Sequence, residues 1–175
     1  MKLSEIRKII GYNPHAKLAV KEATRSWLCG MYRDYPIGLT LTVKQTIVEE
    51  TPRGTLRRAI TQADCEQITQ QFIKKLNRAV FGRRAAEKYG KSLRFMPIVE
   101  GERSGKALHL HFALGGFPSY RKLNEIDSLV RQAKKNTRHL DEQHKVDLVD
   151  SGWIEYITKE TSSKHSDNVL WTQFT

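Results

Sequence analysis

The sequence predicts an α+β domain: an antiparallel sheet of four or five strands with two long helices on one face. Three observations carry that prediction. Residues 37–44 alternate apolar and polar. Residues 93–102 and 106–114 form two more strand-like runs joined by Arg103-Ser104-Gly105. Two further stretches carry one apolar stripe each at helical spacing.

In chain order, residues 15–33 have Ala16, Ala19, Val20, Ala23, Trp27 and Met31 at roughly helical intervals, and Pro36 ends that helix. Ile37, Leu39, Leu41 and Val43 then share one strand face, opposite Gly38, Thr40, Thr42 and Lys44. Residues 49–58 contain Thr51-Pro52 and Gly54 and read as a loop. Thr61 with Asp64 resembles a capping box for a helix through Cys65, Ile68, Phe72, Leu76 and Val80, ended by Gly82 or Gly90.

In the strand 106–114, Leu108, Leu110, Phe112 and Leu114 oppose His109, His111 and Ala113. Gly115-Gly116-Phe117-Pro118 breaks it, and Ser119 is positioned to cap a helix through Leu123, Ile126, Val130 and Ala133. A charged stretch leads to a short strand over 146–149, and a final helix spans 153–160. The expected division is a single domain over 1–175, with a helical region 1–35, a core 36–160 and a tail 161–175. The helices cover the leucine-rich face, which leaves Thr40, Thr42, Glu100, His109 and His111 on an open polar face.

The chain has 175 residues, and its 30 Lys+Arg against 19 Asp+Glu give a net charge of +11. No apolar run approaches the roughly 18 residues that span a bilayer. The start, MKLSEIRKII, lacks the apolar stretch of a secretory signal. Cys29 and Cys65 stand apart, without the spacing of a disulfide framework or a zinc site. The expectation is a soluble protein of a reducing compartment with no membrane partner. Its surplus charge favours phosphate polyanions. That charge is densest over 74–94, where Lys74, Lys75, Arg78, Arg83, Arg84, Lys88, Lys91 and Arg94 face one acid, Glu87. Such a run is either a solvated helix face or a phosphate-tracking surface.

His109-Leu110-His111 places two imidazoles on one strand face. Alone, such a pair is ordinary. A hairpin centred on Ser104-Gly105 puts Glu100 opposite His109, on the same face. Two imidazoles and a carboxylate form a mixed site suited to Mg²⁺ or Mn²⁺ on a phosphate. Glu102, of the same parity, is the alternative third ligand. Downstream, Tyr156 and Lys159 are three apart on the final helix and so neighbours on its surface. A tyrosine hydroxyl with pKa near 10 is a weak nucleophile at neutral pH, and a nearby ammonium or metal ion favours the phenolate.

Together, the strand Leu39-Thr40-Leu41-Thr42, the His109-Leu110-His111 strand with Glu100, and the Tyr156-x-x-Lys159 helix resemble the three motifs of the HUH endonuclease superfamily. They are most similar to single-tyrosine rolling-circle replication initiators (Rep proteins), over roughly residues 37–160. The resemblance implies a ferredoxin-like HUH/Rep nuclease sheet and site-specific nicking and rejoining of single-stranded DNA. A divalent ion on His109, His111 and Glu100 would polarise the scissile phosphate. Tyr156 would attack it to give a covalent 5′-phosphotyrosine and a free 3′ hydroxyl. Lys159 would assist the phosphate or the tyrosine, and Thr40 and Thr42 would contact DNA or support the metal site.

Relatives differ in order: relaxases place the tyrosine before the histidine pair, whereas Tyr156 follows His111 by 45 positions. Single-tyrosine transposases also place it afterwards and tend to have a glutamine rather than a lysine on the tyrosine helix, so Lys159 leans toward a replication initiator. A transposase is therefore the enzymatic alternative, and a non-catalytic single-strand-binding module the alternative of another class. Tyr32 and Tyr35 read as structural.

The implied partners are single-stranded DNA or an origin hairpin, a host polymerase and a separate helicase. Gly101 to Ala107 has too few residues and the wrong context for a phosphate loop, so no helicase motor is expected and the chain reads as a stand-alone nuclease or an excised domain. The compartment implied is the cytoplasm of a bacterial or archaeal host, or the nucleus for a eukaryotic virus. Candidate DNA contacts are Arg53, Arg57 and Arg58 in the loop, and Lys74, Lys75, Arg78, Arg83 and Arg84 in the basic run. His15, His139, His144 and His165 have no partner pattern and read as surface residues.

Overall fold

The computed structural model describes residues 22–23, 26–27, 30, 32–101, 107–159, 168–173 and 175. It is an α+β fold built on a four-stranded antiparallel sheet. The strands are β1 (Ile37–Val43), β4 (Arg94–Glu100), β5 (His109–Gly115) and β6 (Leu140–Leu148), in the spatial order β4-β5-β1-β6. β2 (Thr46–Thr51) and β3 (Gly54–Ala59) pair separately as a hairpin. Helix α1 (Gln62–Phe81) and the short α2 (Arg83–Lys88) join the hairpin to β4. Helix α3 (Leu123–Lys135) joins β5 to β6, and α4 (Ser151–Ile157) follows β6.

Alternation along the strands decides which face is covered. Leu39, Leu41, Phe95, Leu110 and Phe112 are fully buried on one face, in a core shared with Ile68, Phe72 and Leu76 of α1 and Ile126 and Val130 of α3. The Phe72 and Phe112 rings lie 5.3 Å apart at this interface. Helix α1 starts where the capping box predicts: the Thr61 hydroxyl accepts from the Asp64 amide, and the Asp64 carboxylate accepts from the Thr61 amide. Gly82, at φ 84°, ends it.

Several boundaries depart from expectation. Residues 49–58 are not a loop: Pro52 and Arg53 form the turn of the β2–β3 hairpin. Its strands pair charged residues, such as Arg58 with Glu49, rather than alternating cleanly between apolar and polar. Helix α3 is preceded by Lys122 rather than capped by Ser119, which lies in the turn closed by the Arg121 amide on the Pro118 carbonyl. Strand β6 begins at Leu140, inside the charged stretch, because an edge strand can carry charges towards water along most of its length. Helix α4 ends at Ile157, so Lys159 stands on the turn that follows.

The second face is only half open. Tyr35, Met96, Ile98, Ala113, Ile157 and Val169 form a smaller core there, with Trp153 packed against it. Gly38 makes room for that ring: a Cβ at this position would lie 2.6 Å from Trp153. The described end of the chain, expected as a tail, pairs with the outer edge of β4. Thr175 and Phe95 exchange backbone hydrogen bonds, and the Leu170 amide donates to the Pro97 carbonyl. Pro97 suits this edge because its missing N–H points away from β5.

Of the first expected helix, Glu22, Ala23, Ser26, Trp27 and Gly30 are helical, Tyr32 and Arg33 belong to a 3-10 turn that runs to Asp34, and the remainder lies outside the described residues. So do Glu102, the 103–105 turn, Cys29, His15 and His165. Cys65 is buried in the main core. No helix among the described residues is long and apolar enough to cross a membrane.

Candidate active site

The open half of the second face holds a cleft of about 360 Å³. Strand register builds it. Thr40 lies opposite His111, Thr42 opposite His109, and Glu100 opposite His109, so β1, β4 and β5 direct all five side chains to one face. Tyr156 and Lys159, from α4 and its following turn, complete the lining, with Gln143, His144 and Lys145 of β6 along the other side.

Glu100 is the hub. Register sets it against His109, yet its carboxylate reaches diagonally to His111, with Oε2 2.8 Å from Nε2. Its second oxygen, Oε1, lies 2.5 Å from the Lys159 ammonium. Burial opposes ionisation of Glu100, but the hydrogen bonds and charges of His111 and Lys159 outweigh it and bring its pKa to about 2. Glu100 is therefore an anion at neutral pH. Burial pulls the Lys159 ammonium the other way, but Glu100 and Tyr156 prevail and raise its pKa above the usual lysine value.

His111 is almost wholly buried, at 2% exposure, and its Nδ1 lies 3.0 Å from the Thr40 hydroxyl. A hydroxyl donates or accepts. Either tautomer of His111 thus keeps this bond, which fixes the ring while leaving Nε2 free to change partner. Thr42 donates to the Gln143 carbonyl at 3.0 Å and ties β1 to β6 where the register shifts. Both threonines are committed to holding the site together.

Tyr156 is half exposed, at 50%. Its ring meets the His111 ring edge-on, with centroids 5.6 Å apart and planes at 84°. The Lys159 ammonium lies 3.8 Å from the centroid of the same ring. A phenol, an ammonium, a carboxylate and a fixed imidazole therefore adjoin one cleft open to solvent.

The spacing of the donors bears on a divalent ion. Two ligands at right angles, each about 2.1 Å from an ion, stand roughly 3 Å apart. His111 Nε2 and Glu100 Oε2 match that separation at 2.8 Å. His109 faces the same cleft two residues along β5. Among the described residues no three His, Cys, Asp or Glu side chains form a ready metal cluster. The chemistry of the Glu100–His111 donor pair suits an oxygen- and nitrogen-seeking cation, and His109 lines the same cleft without completing a three-residue cluster with them.

The remaining expected contacts scatter. Arg53 and Arg57 are exposed on the β2–β3 hairpin. Arg58 is a structural clamp, bonded to both oxygens of Asp64 at 2.6 and 2.8 Å and to Glu49 at 2.7 Å. These bonds hold the Asp64 carboxyl well below the usual carboxylate range, against the opposing effect of burial. Lys74, Lys75, Arg78, Arg83 and Arg84 belong to α1 and α2, on the helix side, with the sheet between them and the cleft. Arg78 and Arg83 both pair with Glu87.

His144 is not a surface residue: its side chain is 4% exposed and its Nε2 lies 2.9 Å from Asp127. Its Nδ1 lies 3.3 Å from the Lys134 ammonium, which also donates to the Glu142 and Gln143 carbonyls. His139 adopts a left-handed backbone, at φ 66°.

One contributor escaped the sequence reading. The Gln45 side chain accepts from the Leu108 amide at 2.8 Å and donates to the Leu108 and Val43 carbonyls at 3.1 and 2.7 Å. It continues the sheet ladder past the end of β1 and secures β5 just before His109. Its only signal in sequence is a polar residue directly after a strand, which is common. No family model matches the chain, and neither a curated protein nor a solved structure matches it.

Proposed function

We propose that the protein is a metal-dependent, single-tyrosine HUH nuclease that nicks and rejoins single-stranded DNA in the manner of a rolling-circle replication initiator. The observation that carries this reading is the half-exposed Tyr156 ring standing edge-on to His111 within the cleft that also contains the Glu100–Lys159 pair. Binding alone does not require a phenol beside a fixed imidazole and a buried carboxylate. The β-α-β-β-α-β order, with the first strand lying between the third and fourth, supports a ferredoxin-like assignment.

In this mechanism the Tyr156 phenol oxygen attacks the scissile phosphorus. A phosphorus–oxygen bond to Tyr156 forms, the bond to the 3′ oxygen breaks, and the phenolic proton is balanced by the one the departing 3′ hydroxyl acquires. Lys159 supplies positive charge beside the attacking ring. Glu100 and Thr40 hold Lys159 and His111 in place. A divalent ion held by His111, Glu100 and His109 would supply Lewis-acid polarisation of the phosphate. Attack by a 3′ hydroxyl on the phosphotyrosine reverses the step and religates the strand. A polymerase could extend the freed end in the meantime.

The test is incubation with Mn²⁺ and a labelled pool of random single-stranded oligonucleotides. A covalent adduct is expected from the wild type, none from Tyr156→Phe, and much less from His111→Ala. An undiminished adduct with Tyr156→Phe overturns the nucleophile. Tight binding with no adduct from any form would instead favour the binding module.

A further inference from the structure

A buried imidazole and a buried ammonium lie behind the β6 wall of the cleft, and neither takes part in the chemistry above. Asp127 and Lys134 are two helical turns apart on α3, so they share the side of it that meets β6. His144 comes from β6. It lies opposite Leu41, a residue of the main core, so its ring is on the helix side of the sheet, at 4% exposure.

The bonds in this cluster fix its charge states. The Lys134 amine has three acceptors: the Glu142 carbonyl at 2.6 Å, the Gln143 carbonyl at 3.0 Å and His144 Nδ1 at 3.3 Å. Three acceptors match the three N–H groups of an ammonium. An ammonium only donates, so Nδ1 accepts, and His144 is neutral with its proton on Nε2. Nε2 donates to Asp127 Oδ1 at 2.9 Å, while Asp127 Oδ2 accepts from Arg131 at 2.7 Å. Burial, with Arg131 adding to it, draws the Lys134 pKa below the usual lysine range against the pull of Asp141, Glu142 and Asp127. The site therefore already opposes one cation.

A second proton on His144 goes to Nδ1. Two donors and two positive charges would then face each other away from water. Lys134 must withdraw, and the Glu142 and Gln143 carbonyls lose it. The effect reaches the cleft, because the Gln143 carbonyl also accepts the Thr42 hydroxyl where the β1–β6 register shifts, and both residues line the cleft. We propose that Asp127, His144 and Lys134 form a pH-sensitive latch tying α3 to the β6 wall of the cleft, closed while His144 is neutral and open once it is protonated.

The charged groups facing His144 are Asp127, Arg131 and Lys134 on α3 and Asp141 and Glu142 on its own strand, and β1 presents Leu41. Lys44, Lys135, Arg138 and His139 line the groove on the helix side, and His109, His111 and Lys145 line the cleft. His109, His111 and His139 remain in place when His144 is replaced, so His144→Gln isolates its proton from theirs.

The experiment follows backbone hydrogen exchange of the intact chain from about pH 8 to pH 5, the range in which imidazoles change charge, with rates corrected for intrinsic exchange. Neither DNA nor metal is present, so the latch is measured apart from the function proposed above. In the wild type, protection over Leu140–Leu148 should fall by about tenfold or more relative to Arg94–Glu100 as the pH is lowered. His144→Gln should abolish that relative fall, and Lys134→Met should leave β6 weakly protected throughout. His139→Asn keeps a residue suited to the left-handed backbone there and should retain the wild-type fall. Nitrogen NMR at high pH should find His144 Nδ1 without a proton.

No relative fall in the wild type, a fall that persists in His144→Gln or Lys134→Met, or a fall abolished by His139→Asn overturns the proposal. So does a proton on Nδ1 at high pH. A latch that behaves as expected in a chain that forms no adduct at Tyr156 stands, and the nicking reading alone is removed.

Discussion

The two faces of the sheet are made from the same strands, alternate residue by alternate residue, and they have opposite chemistry. On the helix side, Leu39, Leu41, Leu110 and Phe112 are fully buried against α1 and α3. On the other side the intervening residues, Thr40, Thr42, His109 and His111, form the wall of a polar cleft. One face makes the main core and the other leaves its polar groups available, because successive side chains of a strand point to opposite faces. Substitutions should therefore separate cleanly: stability changes from one face, activity changes from the other.

The sharpest way to break that separation is Phe112→Ala. It removes half of the Phe72–Phe112 contact from a close-packed interface and should lower stability by about 3–5 kcal/mol in denaturant unfolding. His111, its neighbour on the other face, should keep its hydrogen bonds in whatever fraction remains folded. An equal loss of adduct per folded molecule would contradict the separation.

Gly38→Ala probes the boundary, since it lies on the cleft side but under the small core. The added methyl meets the Trp153 ring, so a stability loss of about 1–3 kcal/mol is expected. Here activity should fall too, because α4 carries both Trp153 and Tyr156. Unchanged adduct formation would show that α4 relaxes without moving the phenol.

Gln45→Ala should act more gently. Losing its bonds to Leu108 and Val43 is expected to destabilise by about 1 kcal/mol, with faster hydrogen exchange at the Leu108 amide as the specific sign. A uniform rise in exchange across the sheet would argue against a local role.

The smallest effect is a pH dependence on the helix side. Asp64 has a depressed pKa in the folded chain, so its contribution is present above the ordinary carboxylate value, near 4, and is lost as pH falls through the lower folded value. The stability gap between wild type and Asp64→Asn should narrow below about pH 4. A gap that stays constant with pH would mean that the Arg58 clamp contributes through packing alone.

This contrast also explains what could be read in the sequence. The alternation at 37–44 and the Thr61–Asp64 box are local signals, and each appears where local physics puts it. The placement of Glu100 opposite His109 was equally legible, because one turn position fixes a hairpin register. The diagonal reach of Glu100 to His111 was not, since it depends on where Lys159 draws its other oxygen. The β2–β3 hairpin escaped because its strands mix charged and apolar residues on each face and so show no apolar face in sequence. The docking of the final segment on β4 escaped because a partner so far along the chain leaves no local mark. His144 read as a surface residue for the same reason: Asp127 and Lys134 reach it from another element.

The most direct test of the central claim is the identity of the bond to DNA. Adduct formed with Mn²⁺ and the random single-stranded pool would be trimmed by nuclease, digested with protease and sequenced by mass spectrometry. The account predicts a nucleotide joined through its 5′ phosphate to the oxygen of Tyr156. A nucleotide on any other residue, or one attached through its 3′ phosphate, would contradict it.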